Sequence, residues 1–99
     1  MRLIFEDDDL CRLAYEASYR TRRWPAEVTR SYRRRIQQIE AAVDERDLRN
    51  LKALRLEQLK GNRRGTSSIR INDKYRLIVR FESDEAGRVT VVIDGLDYH

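Results

Sequence analysis

Residue types that dominate many active sites are scarce in this chain of 99 residues, which holds one cysteine, one histidine, one proline and four glycines. Cys11 has no partner for an internal disulfide and is expected to pack. A single histidine and no clustered cysteines leave no recognisable metal site. No apolar run approaches membrane-spanning length, and the opening residues 1–6 are too short for a signal peptide. No membrane partner is therefore expected, and the expected compartment is the cytoplasm. The turn Gly61-Asn62-Arg63-Arg64-Gly65 lacks the Gly-Lys-Ser/Thr ending of a phosphate-binding P-loop. With 40% hydrophobic and 38% charged residues, the chain reads as globular with a large charged surface, not as disordered. Its length suits one domain over residues 1–99.

What is abundant is arginine, unevenly placed. Residues 20–80 hold 18 Lys/Arg against 7 Asp/Glu, whereas the two ends hold 3 against 10. A basic centre between acidic ends favours phosphate-rich partners and speeds their encounter.

The basic charge coincides with strand pattern between residues 59 and 81. Two alternating runs, Ser68 to Ile71 and Tyr75 to Phe81, flank Asn72-Asp73-Lys74, whose Asn and Asp favour turns. A two-residue loop would pair Ile69 with Arg76 and mix the faces of both strands. A three-residue loop pairs Ile69 with Leu77 and Arg70 with Arg76, and keeps Val79 and Phe81 on the apolar face. Two cations side by side on a sheet are destabilising unless a carboxylate or an anionic ligand lies between them.

Elsewhere, residues 2–6 are β-prone, and Asp7-Asp8-Asp9 offers capping chemistry for a helix from about Asp8 to Tyr19, with Leu10, Leu13, Ala14 and Ala17 on its core face. Pro25 suits the first turn of a second helix whose Val28, Tyr32, Ile36, Ile39 and Val43 form an apolar stripe. Arg30, Arg33, Arg34 and Arg35 lie largely off that stripe, as a solvated face or a nucleic-acid contact. Trp24 either anchors its loop to the core or stacks on a base. The leucines from Leu48 to Leu59 form a connector, a short helical turn leading to an extended segment. Ser83 to Gly87 is a polar hairpin loop, and a last strand from Arg88 to Asp94 places Val89, Val91 and Ile93 on one face. The order β-α-α-β-β-β predicts an α+β fold, a small, mostly antiparallel sheet with two N-terminal helices packed on one face. The open face should carry Arg70, Arg76, Ile78 and Arg80.

The set Leu59-Lys60-Gly61-Asn62-Arg63-Arg64-Gly65, Ser68-Ile69-Arg70-Ile71-Asn72-Asp73-Lys74-Tyr75-Arg76 and Asp97-Tyr98-His99 resembles the HigB branch of the RelE/ParE toxin superfamily. Arg22-Arg23-Trp24, Asp47-Leu48 and Leu54-Arg55-Leu56 extend the resemblance along the chain, and the element order fits the RelE-like fold. The resemblance implies a bacterial toxin that enters the ribosomal A site and cleaves mRNA without a metal or other cofactor. It also implies a cognate HigA-like antitoxin with a helix-turn-helix. Carried over by position, Lys60, Arg70 and Arg76 hold the scissile phosphate, His99 moves a proton, Asp97 orients it or supports the sheet end, and Tyr98 stacks on a base or positions the 2'-hydroxyl. Arg22, Arg23, Arg63, Arg64 and Arg80 are the accompanying candidate nucleic-acid contacts. The chain departs from the branch at Leu56-Glu57-Gln58-Leu59-Lys60-Gly61, where Glu57 stands at a position often held by histidine. Glu57 is then a general base or an ion-pair partner of Arg70 or Arg76. Two other readings are a non-nucleolytic toxin like the ParE branch, acting on DNA gyrase, and an RNA-binding module without catalysis.

Overall fold

Asp7 begins the first helix by accepting the Leu10 N–H at 3.0 Å. Burial raises the pKa of its carboxyl, but the Leu10 amide and Arg23 outweigh this and hold it below the usual carboxylate value. The structure, a computed structural model, describes residues 1–97. Strand β1 (Arg2–Phe5) precedes helices α1 (Asp8–Tyr15), α2 (Ala26–Ala41) and α3 (Glu45–Asn50). Single 3-10 turns at Lys52–Leu54 and Gly61–Arg63 bracket the short strand β2 (Glu57–Gln58). Strands β3 (Ser67–Arg70), β4 (Tyr75–Asp84) and β5 (Gly87–Asp97) complete a sheet of order β1-β5-β4-β3-β2. All pairs are antiparallel except β1 with β5, so the sheet is mixed, with an antiparallel body. No helix among the described residues is long and apolar enough to cross a membrane.

One side of the sheet meets the helices. Leu10 and Leu13 of α1 and Val28, Tyr32, Ile36 and Ile39 of α2 form one buried cluster with Ile69, Leu77, Val79 and Val92. Trp24 is the anchor of the α1–α2 loop: it is buried, donates to Thr29 Oγ1 at 2.7 Å, and sits against Tyr32 and Tyr75. The helix α1 stops at Tyr15, earlier than its pattern predicted. Glu16 turns extended, and Arg33 of α2 donates to the carbonyls of Leu13 at 2.7 Å and Glu16 at 3.0 Å, satisfying the helix end from outside. Ala17 consequently lies beyond the helix and is exposed. Val43 is also beyond its helix, 78% exposed, because α2 closes at Ala41.

In the last strand Val89 and Val91 share one face as predicted, and Ile93 drops out of that pattern. Thr90 and Val92 face the helices opposite Phe81 and Val79, while Val89 and Val91 lie on the other face beside Glu82 and Arg80. A bulge at Ile93, the residue skipped between Val92 and Asp94, separates the two registers. The open face is accordingly less cationic than expected. Ile78, Val89 and Val91 are buried on it, and Arg80 is neutralised by Glu6 at 3.2 Å and Glu82 at 2.6 Å.

Gly95 lets β5 pass under Trp24, since a Cβ there would lie 2.5 Å from a ring carbon of the indole. Gly95→Ala should destabilise the protein by roughly 1–3 kcal/mol through overpacking. Urea denaturation measures this, and an unchanged midpoint would contradict the close approach.

Candidate active site

The hairpin that carries the central cations is set by Asn72. Its Oδ1 accepts the N–H groups of Lys74 at 2.9 Å and Tyr75 at 3.0 Å, closing the three-residue loop Asn72-Asp73-Lys74. Ile69 then pairs with Leu77 and Arg70 with Arg76, the register that side-chain alternation predicted.

Arg76 is 7% exposed. A guanidinium so far from water needs acceptors at fixed positions. Ser68 Oγ accepts from its Nε at 3.2 Å and from its Nη2 at 2.7 Å, and the Arg55 carbonyl accepts from Nη2 at 2.7 Å. Arg55 has φ 44° and ψ 53°, the left-handed conformation. For a residue with a side chain this costs about 1–2 kcal/mol. The strained turn brings the chain from the first 3-10 turn into β2 with its carbonyl bonded to Arg76, so backbone strain here positions a charged group.

Each of the opposed arginines also has a carboxylate. Asp73 pairs with Arg70, and Glu57 lies 3.9 Å from Arg76. Those carboxylates are 89% and 57% exposed, so they relieve the repulsion while contributing little binding energy of their own. Arg55, Arg70, Asn72, Asp73 and Arg76 line a cavity of about 170 Å³. Below it, Arg35 of α2 is buried and donates to the carbonyls of Arg70 at 2.8 Å and Ile71 at 3.4 Å. Burial, with repulsion from Arg34 and Arg70, pulls its pKa below the ordinary guanidinium value. Arg33 and Arg35 therefore do not belong to a solvated outer face of α2; both bond backbone carbonyls of neighbouring elements.

The remaining candidates are dispersed. Lys60 is exposed on the connector between β2 and β3, with Arg63 and Arg64 just beyond it. Arg80 shares the sheet face of Arg76 but is held by its two glutamates. Arg23 is committed within the fold to Asp7 at 2.7 Å, Asp9 at 2.9 Å and Asp94 at 3.6 Å, beside exposed Arg22. Asp97 pairs with Tyr75, on the helix side of the sheet, whereas Leu96 is the residue opposite Arg76. Tyr98 and His99 lie outside the described residues. Two parts of the site went unnoticed in the sequence. Ser68 shares a face with Arg70 by strand alternation, a signal that was available. The Arg55 carbonyl left no signal, because a backbone acceptor has no sequence signature.

Residues 3–99 match the HigB-like toxin family, the RelE-like toxins of the type II toxin-antitoxin system HigB. The chain belongs to this family. This HigB-like toxin is similar to Toxin HigB-1 of Vibrio cholerae serotype O1, with 38% identity over 81 residues that span 82% of this chain and 84% of that one. Its fold is similar to a YoeB/ParE toxin from Agrobacterium tumefaciens, at a TM-score of 0.57 and 19% identity with both chains covered fully. It is also similar to a YoeB-YefM complex from Staphylococcus aureus, at a TM-score of 0.58 and 17% identity over 100% of this chain and 97% of that one. As a type II toxin, the HigB-like chain has an antitoxin partner.

Removing the Ser68 hydroxyl takes away the acceptor of two bonds from a buried charged group. Ser68→Ala should lower stability by about 1–3 kcal/mol, read by thermal or urea unfolding. A variant as stable as the parent would show that Arg76 is not held by that hydroxyl.

Proposed function

We propose that this HigB-like toxin is a ribosome-dependent mRNA endoribonuclease that works without a metal and acts in the cytoplasm. The observation that carries the reading is the pair Arg70 and Arg76, side by side across β3 and β4 at the wall of one cleft, with Arg76 buried and anchored. A fixed cation at a dry site stabilises charge developing on a phosphoryl oxygen far better than a mobile surface one, because it needs no reorganisation as the reaction proceeds.

In the proposed reaction the RNA 2'-oxygen bonds to the adjacent phosphorus and the bond from phosphorus to the 5'-oxygen breaks. The 2'-hydroxyl gives up its proton and the leaving 5'-oxygen takes one, so the products are a 2',3'-cyclic phosphate and a 5'-hydroxyl. Arg76 and Arg70 neutralise the non-bridging oxygens at the transition state. The scissile phosphate displaces the exposed carboxylates of Asp73 and Glu57, which serve as counter-ions while the cleft is empty. Glu57 is in this reading an ion-pair partner and not the base. Proton transfer falls to Tyr98 and His99, with Asp97 as their orienting residue, an assignment that rests on the resemblance of these residues to the HigB branch. Lys60, Arg63, Arg64 and Arg22 bind the flanking RNA. The antitoxin partner is proposed to be HigA-like, with a helix-turn-helix.

Single-turnover cleavage of a message on stalled ribosomes tests the roles. Arg76→Ala should slow it by about 10²–10³-fold. Arg76→Lys should remain impaired, because an ammonium cannot reproduce the two-point anchoring of a guanidinium. Glu57→Gln should leave the rate within a few-fold. A large loss in Glu57→Gln would make Glu57 the base, and an undiminished rate in Arg76→Ala would remove the central cation from the chemistry.

A further inference from the structure

Arg55 has the one positive φ outside glycine among the described residues. Elsewhere the chain puts glycine where φ is positive, at Gly61, Gly65 and Gly87. A glycine at position 55 would adopt the left-handed turn without steric cost. It would still offer its carbonyl to Arg76, because that acceptor belongs to the backbone. Asparagine would also fit the turn better than a long side chain. The fold itself gains nothing from the arginine side chain: the residue is exposed, and its guanidinium makes no hydrogen bond or ion pair with any described residue. Strain kept at a position whose side chain holds nothing in the fold points to a ligand.

The surroundings of that residue name the ligand's chemistry. Arg55 lines the cleft of about 170 Å³ together with Arg70, Asn72, Asp73 and Arg76. It enters from the connector before β2, whereas the other four belong to the β3–β4 hairpin. Arg70 faces Asp73 and Arg76 faces Glu57, but Arg55 has no carboxylate of its own among the described residues. Three guanidiniums thus share two carboxylates, and the uncompensated charge sits on the strained residue. We propose that Arg55 is a third substrate-contacting cation, which closes from the connector side on a non-bridging oxygen of the phosphodiester held by Arg70 and Arg76. Its carbonyl fixes Arg76 while its side chain meets the substrate, so one residue supplies both an anchor and an exposed arm of the site. The planar guanidinium fork matches phosphate oxygens, and its charge opposes the negative charge that grows as the 2'-oxygen adds to phosphorus. The inference rests on the proposed nuclease reading and adds a contact to it.

The test is single-turnover cleavage of a message on stalled ribosomes by the full chain and by Arg55→Gly, Arg55→Lys, Arg76→Ala and Lys52→Gln, the last an equal charge loss on the same connector. Urea unfolding is measured alongside. Arg55→Gly should unfold at a urea concentration no lower than the parent's, because the turn and its carbonyl remain. It should cleave about 10–100-fold more slowly, the effect of losing one charge-assisted hydrogen bond. Arg55→Lys should recover part of that rate, and Lys52→Gln should stay within about twofold of the parent. Sulfur in place of one non-bridging oxygen of the scissile phosphate separates contact from indirect effects. At the contacted oxygen it should slow the parent more than it slows Arg55→Gly. Equal sulfur effects in the two proteins at both oxygens would overturn the proposal, as would an equal rate loss in Lys52→Gln. A clearly lower unfolding midpoint in Arg55→Gly would assign the side chain to the fold and also overturn it. A slowed Arg76→Ala beside an undiminished Arg55→Gly would remove this inference alone, whereas a parent that leaves messages intact would remove the nuclease reading and the inference together.

Discussion

The proposed active face depends on one interaction, the fixation of the Arg76 guanidinium between the Ser68 hydroxyl and the Arg55 carbonyl. A buried cation would be costly without those acceptors. Supplying them requires the hairpin register, the left-handed turn at Arg55 and the edge strand β2 together. Disturbing any of the three moves the charge. The register in turn leans on Arg35, whose bonds to the carbonyls of Arg70 and Ile71 tie the end of β3 to α2. The hairpin is thus braced from the core side by one arginine and presents two others from the opposite side.

Arginine does three kinds of work in this chain, and the partners distinguish them. Arg23, Arg33, Arg35 and Arg88 join elements through carboxylates or carbonyls: Arg88 reaches Glu45 of α3, and Arg23 gathers Asp7, Asp9 and Asp94. Arg70 and Arg76 are held in place and face exposed carboxylates, Asp73 and Glu57. Arg20, Arg22, Arg30 and Arg34 have no counter-ion among the described residues. A basic total alone would not separate these groups, because a guanidinium satisfied by the fold contributes little to recognition.

Much of this was legible in the sequence, where two levels of pattern agreed. The Asn72-Asp73-Lys74 turn, the opposition of Arg70 and Arg76, and the inward stripe from Val28 to Ile39 follow from turn chemistry and periodicity. The failures have physical causes. Ile93 leaves the face that Val89 and Val91 share because a bulge interrupts the pairing with β4, and no local pattern reports a bulge. Arg33 and Arg35 read as part of a solvated face or a nucleic-acid contact because side-chain charge says nothing about a carbonyl brought near by tertiary packing. Likewise, the end of α1 depends on Arg33, which lies far along the chain.

The most direct test of the central claim, that the anchored arginine pair serves cleavage at the RNA 2'-oxygen, is to map and chemically type the message ends produced in a reconstituted translation system. The account predicts cuts in register with codons, present only with ribosomes, whose downstream fragments begin with a 5'-hydroxyl and whose upstream fragments end in a cyclic phosphate. Intact messages, or fragments beginning with a 5'-phosphate, would contradict it.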